Sequence, residues 1–92
     1  MIYRIHIRIK RVEGAIIRTL GLIERRGFAV TEISTSDSAC EDEMELALVV
    51  ESRERSVELL MKQIRKLFDV RDVHRTHATE QVMIQEQHAC LM

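Results

Sequence analysis

The feature that limits this chain most is a change of period near its start. From Tyr3 to Lys10 the residues alternate, with Tyr3, Ile5, Ile7 and Ile9 on one side and Arg4, His6, Arg8 and Lys10 on the other. Period two over eight residues predicts a half-buried strand. After Gly14 the spacing changes: Ile16, Leu20 and Ile23, with Ile17 flanking, fall on one face of a helix expected from Glu13 to Arg26. Arg25 and Arg26 in the last turn, followed by Gly27, predict its stop. Phe28, Val30 and Glu32 then alternate with Ala29, Thr31 and Ile33 as a second strand. Strand, tight turn, helix and strand make a crossover unit. Inside the helix Gly21 costs about 1 kcal/mol relative to alanine, which predicts a close contact across it, with the second helix or a partner.

The rest of the chain repeats the pattern. Ser34 to Asp42, STSDSACED, is polar and turn-rich, and an exposed loop is expected from Thr35 to Asp42. Met44, Leu46, Leu48 and Val50 mark a third strand with an apolar inward face and an acidic outer one, so Glu45 and Glu51 are expected beside the basic row of the first strand. Val57, Leu60, Met61, Ile64, Leu67 and Phe68 follow helical spacing between Ser52 and Phe68, with Ser52 or Ser56 as cap. Asp69 turns the chain into a fourth strand, Val70 to His77, with Val73 inward. Together these elements predict an α+β, ferredoxin-like βαββαβ sandwich over residues 1–77: an antiparallel sheet of order 4-1-3-2 with two helices on one face. The second strand is then an edge with neither proline nor lysine, open to pairing with another chain. Residues 78–92 form a tail that could add a strand or pack on a partner.

Composition excludes several classes. With 14 basic and 15 acidic side chains the formal charge is −1, and the aromatics are Tyr3, Phe28 and Phe68, so neither a phosphate-attracting field nor base-stacking platforms favour nucleic acid. There is no apolar run of membrane-spanning length and no signal-like start, so a cytoplasmic protein is expected. Cys40 and Cys90 are too few and too scattered for a disulfide framework and read as reduced thiols. No nucleophile, base and polarising group converge as an enzyme requires. His74 and His77 would fall on opposite faces of a strand, without the carboxylate or cysteine neighbours a metal needs. His6 reads as an exposed polar partner, and the methionines as packing.

The run Gly14, Ala15, Ile16, Arg18, Gly21, Leu22, Arg25, Arg26, Gly27, Phe28 and Val30 resembles the G-[VA]-L-x-R-x-x-G-L-x-x-R-R-G-[FY]-x-[IV] signature of ACT domains, and more narrowly that of the small regulatory subunit of acetolactate synthase. SRERSVELLMKQIRKLFDVRDV, Ser52 to Val73, is similar to the second helix and fourth strand of that subunit, in the short form that partners the valine-insensitive isozyme. The resemblance implies a non-catalytic subunit that activates a large one carrying thiamine diphosphate, magnesium and FAD, in branched-chain amino acid synthesis. It also implies a homodimer through the edge strand and first helix, at Gly21, Phe28, Val30, Thr31 and Ile33. An effector amino acid, such as a branched-chain one, would bind at Arg11, Val12, Glu13, Gly14 and Ala15 of one copy with Ala29 and Val30 of the other. Valine-responsive members look like N-x-[PS]-G at the turn, with a second asparagine after G-[FY]. Here Arg11 and Ala29 stand in those places, which argues against valine feedback. Arg18, Arg25 and Arg26, with the loop from Ser36 to Glu43, are the expected contact with the large subunit. The alternative is a free-standing ACT domain that senses an amino acid and regulates another protein.

Overall fold

The computed structural model describes residues 1–76. Its elements run β1 (Ile2–Lys10), α1 (Ala15–Arg25), β2 (Ala29–Asp37), β3 (Glu43–Glu51), α2 (Val57–Arg65) and β4 (Val70–Thr76). The sheet is antiparallel throughout, in the order β2-β3-β1-β4, which is the expected order read from the other edge. Both helices pack on one face: α1 on the β2 side, α2 on the β4 side. His77 and the tail from Ala78 to Met92 lie outside the described residues.

Two inward rows define the core. Ile5, Ile7 and Ile9 of β1 lie opposite Leu48, Leu46 and Met44 of β3, and all but the partly buried Met44 are sealed from solvent. Val73 of β4 stands opposite Ile7 and is equally buried. Each large side chain so placed contributes roughly 1.5–3 kcal/mol through burial, against the entropy of ordering it. From α2 come Val57, Leu60, Met61 and Ile64, the expected stripe. Ser56 is its N-cap, the hydroxyl accepting from the Leu59 N–H at 3.3 Å, while the Ser52 hydroxyl accepts from the Arg55 N–H.

Several expectations are corrected. The buried stripe of α1 is Ala15, Thr19, Leu22 and Ile23, not Ile16, Leu20 and Ile23. Ile16 and Leu20 sit at its shoulder, and Ile17 is 75% exposed. Thr19 can face the core because its hydroxyl donates to the Ala15 carbonyl at 2.9 Å. The helix also starts at Ala15 rather than Glu13, since Gly14 is left-handed at φ 81°. Gly21 meets no close neighbour: an added Cβ would touch only Arg25, at 3.6 Å, so no contact with α2 explains it.

β2 continues to Asp37, through part of the segment expected to be loop, because Thr35, Ser36 and Asp37 find partners in Leu46, Glu45 and Met44 of β3. A bulge at Thr31 shifts the register, and the Thr31 hydroxyl donates to the Val49 carbonyl. α2 ends at Arg65, so Phe68 falls in the following turn and is 84% exposed under the Lys10 ammonium, instead of completing the buried face. On the open sheet face His6 pairs with Glu45 at 3.2 Å, but Glu43, not Glu51, takes Arg8. Glu51 lies opposite Ile2, beyond the basic row.

Candidate functional site

The link from β1 to α1 is built by its backbone. The Lys10 N–H donates to the Asp69 carbonyl and the Arg11 N–H to the Asp42 carbonyl, both at 2.8 Å, which fixes the end of β1 between the β2–β3 loop and the α2–β4 turn. The Val12 N–H then returns to the Lys10 carbonyl, and the Ala15 N–H to that of Val12. Gly14 makes the reversal into the helix. No side chain caps α1, and the N–H groups of Ile16 and Ile17 have no carbonyl partner among the described residues of the turn. Unpaired N–H groups at a helix start attract a carboxylate or similar anion.

Around this turn lies an open groove of about 530 Å³, lined by Arg11, Val12, Glu13, Gly14, Ala15, Ile16, Ile17 and Met44. Its walls are mostly aliphatic and its only cationic group among the described residues is Arg11. That guanidinium is already engaged: Nη2 donates to Asp37 Oδ1 at 2.9 Å and to the Glu43 carbonyl at 3.0 Å, and Nε to the Glu41 carbonyl at 3.3 Å. Behind the turn, Arg18 donates through Nε and Nη2 to Asp69 Oδ2, and Asp69 is 7% exposed. Arg18 thus braces the turn against the α2–β4 link instead of standing free on the surface.

The expected site residues fall into two places. Arg11 to Ala15 come together in the groove. Ala29 and Val30 do not: they pair with Glu51 and Val50, at the end of β2 farthest from the turn, whereas Asp37 at its other end faces Met44. Eight residues of strand separate the two ends, about 26 Å. Within one chain these residues cannot share a ligand. Two β2 edges paired antiparallel would bring the first residues of one strand beside the last of the other, and so beside its turn. Of the expected interface residues, Gly21, Val30, Thr31 and Ile33 lie on the α1–β2 flank, with Ile33 44% exposed, while Phe28 is turned into its own core at 3%. Met44 escapes a reading of the sequence as a site residue, and Asp37 enters it only as part of the loop from Ser36 to Glu43; their positions beside the turn follow from how far β2 extends along β3.

Elsewhere, His6 and His74 stand opposite each other on the open sheet face with ring centroids 5.1 Å apart. Among the described residues no three His, Cys, Asp or Glu side chains are grouped to hold a metal ion, and no helix is long and apolar enough to cross a membrane. Cys40 is a free, exposed thiol.

Comparison with known proteins agrees with this architecture. Over 88% of its length the chain is similar to the small subunit of acetolactate synthase from Thermotoga maritima, with a TM-score of 0.76 and 21% identity. It spans 50% of that chain. It is also similar to the ACT domain of GTP pyrophosphokinase from Chlorobium tepidum, covering 83% of this chain and 97% of that one, with a TM-score of 0.68 and 19% identity. The C-terminal domain of MgtC from Mycobacterium tuberculosis gives a TM-score of 0.64 at 16% identity, covering 82% and 84% of the two chains. At these identities the likeness is one of fold. No curated protein matches the chain in sequence. The ACT domain family model does match, over residues 11–73, and with the βαββαβ sandwich and the glycine-started first helix this places the chain in the ACT domain family.

Proposed function

We propose that this chain is a non-catalytic regulatory subunit that dimerises and activates the catalytic subunit of acetolactate synthase in the cytoplasm. The observation that carries the reading is an unfinished flank: β2 is an edge of the described sheet, and Ile17 and Ile33 beside it are 75% and 44% exposed. A second copy laid along β2 and α1, at Gly21, Val30, Thr31 and Ile33, would cover both. It would also close the groove at Arg11 to Ala15 with the partner's Ala29 and Val30. Support for the enzyme's identity comes from the run Gly14 to Val30 and from Ser52 to Val73, whose sequences resemble the small subunit. Thiamine diphosphate, magnesium and FAD belong to the catalytic subunit in this reading. The chain acts by binding the active arrangement of that subunit better than the inactive one.

Mixing the chain with its cognate catalytic subunit tests this directly. Turnover should rise and the two should co-elute; unchanged turnover without co-elution rejects the proposal. The second reading, an ACT domain that senses a small amino acid and regulates another protein, is favoured by the aliphatic groove and the N–H groups at the start of α1. Calorimetry of the isolated chain against branched-chain amino acids separates the two, since tight binding without a catalytic subunit supports the sensor.

A further inference from the structure

On the helix layer, where the chain leaves α1 for the start of β2 and with no lining residue in common with the groove, the C-terminal end of α1 and the first turns of α2 enclose a cleft of about 190 Å³. Phe28 and Leu60 form its floor, at 3% and 2% exposure, and Leu59 stands at its rim, 60% exposed. Two guanidiniums flank it. Arg26 donates to Gln63 Oε1 at 3.1 Å, its only side-chain partner among the described residues, and Arg55 lies over Gly27 with no ion pair there. None of the seven lining residues is acidic.

Arg8, Arg11, Arg18, Arg71 and Arg75 each meet a carboxylate within 4.0 Å, whereas Arg26 and Arg55, like Arg4, Arg25, Arg53 and Arg65, meet none among the described residues; what sets Arg26 and Arg55 apart is the apolar cleft between them. The cleft therefore combines an apolar floor, an uncovered leucine and two cations without counter-charges among the described residues. Water around Leu59 is released only by an apolar partner group, and the two guanidiniums gain most from carboxylates that flank it. Arginine beside a buried apolar pocket is a composition found at binding hot spots.

We propose that this cleft is the docking point for the catalytic subunit, receiving an aliphatic side chain that is flanked by carboxylates. This rests on the regulatory-subunit reading and deepens it by moving the contact from Arg18 and the β2–β3 loop to Arg26, Arg55 and Leu59. Arg18 is left out of the contact because its guanidinium already directs two of its donors to Asp69.

The test measures binding of the full chain to the catalytic subunit by co-elution and calorimetry, for the wild type, Leu59→Asp, the double variant Arg26→Glu/Arg55→Glu, and the charge-preserving Arg26→Lys/Arg55→Lys. All altered side chains are exposed, so melting temperature should stay unchanged. Affinity is expected to fall at least tenfold in the first two variants, to be partly retained in the lysine variant, and to weaken with added salt. If the wild type binds and Leu59→Asp and the glutamate variant bind equally well, the docking point lies elsewhere and only this inference falls. Failure of the wild type to bind removes the regulatory reading itself. A change of homodimer mass in the variants, measured by light scattering, would assign the cleft to contacts between copies and overturn the inference.

Discussion

Gly14 holds φ at 81° with the Arg18 guanidinium only 2.8 Å from where a Cβ would lie. Left-handed backbone costs an L-residue roughly 1–2 kcal/mol, and the added methyl would also push Arg18 away from Asp69. Gly14→Ala should therefore lower unfolding stability by about 1–2 kcal/mol, read as a reduced urea midpoint with an unchanged slope. Arg18 itself offers a second test. Asp69 is nearly buried, so Arg18→Met strands a carboxylate away from its partner, and a loss of about 1–3 kcal/mol is expected. Arg18→Lys, which keeps the charge but not the two-pronged geometry, should lose less. Equal stability of wild type and the methionine variant would show the pair to be ornamental.

At the scale of elements, β1, β3 and the buried face of α2 are legible in the sequence because one side of each is apolar throughout, while charged residues recur on the other. Ile5, Ile7 and Ile9 have no competing assignment. α1 is not so simple: it is apolar on two faces, one for the core and one that runs along Ile16 and Leu20 at the shoulder to the open Ile17, and sequence spacing cannot tell which meets the sheet. The core takes the stripe with small Ala15 and Thr19, which lets the helix approach closely. β2 misleads for a related reason. Its far end, Thr35 to Asp37, reads as turn chemistry, yet pairing with the long β3 decides its structure. The two faces of α1 predict opposite outcomes. Ile23→Ala, at 0% exposure, should cost about 2–5 kcal/mol. Ile17→Ser should leave the melting temperature unchanged, while together with Ile33→Lys it should turn a dimer into a monomer by light scattering.

In the whole molecule, the groove at Arg11 to Ala15 is, on the proposed function, half of an effector site. Its turn lies at one end of the sheet, and Ala29 lies at the other end of β2, so the proposed function couples occupancy to dimerisation through the same flank. Arg11 adds a second constraint. By reaching Asp37 and the carbonyls of Glu41 and Glu43, it fills with the chain's own groups a position of the proposed effector turn. The proposed site thus lacks both amides that would fix an amino acid's charged ends, and its cation is held by the β2–β3 loop. Valine should bind the wild-type dimer no better than millimolar. Introducing both amides, as Arg11→Asn/Ala29→Asn, should bring calorimetric valine binding into the micromolar range and make activation of the catalytic subunit valine-sensitive. Ala29→Asn alone should do neither, because Arg11 still occupies the turn. Adding Ile33→Lys, a β2-edge change outside the groove wall, to the double variant should make it monomeric and abolish the gained binding, since each groove then loses the amide at position 29 that only a second copy can supply. Micromolar valine binding by that monomer would show instead that one chain holds the whole site.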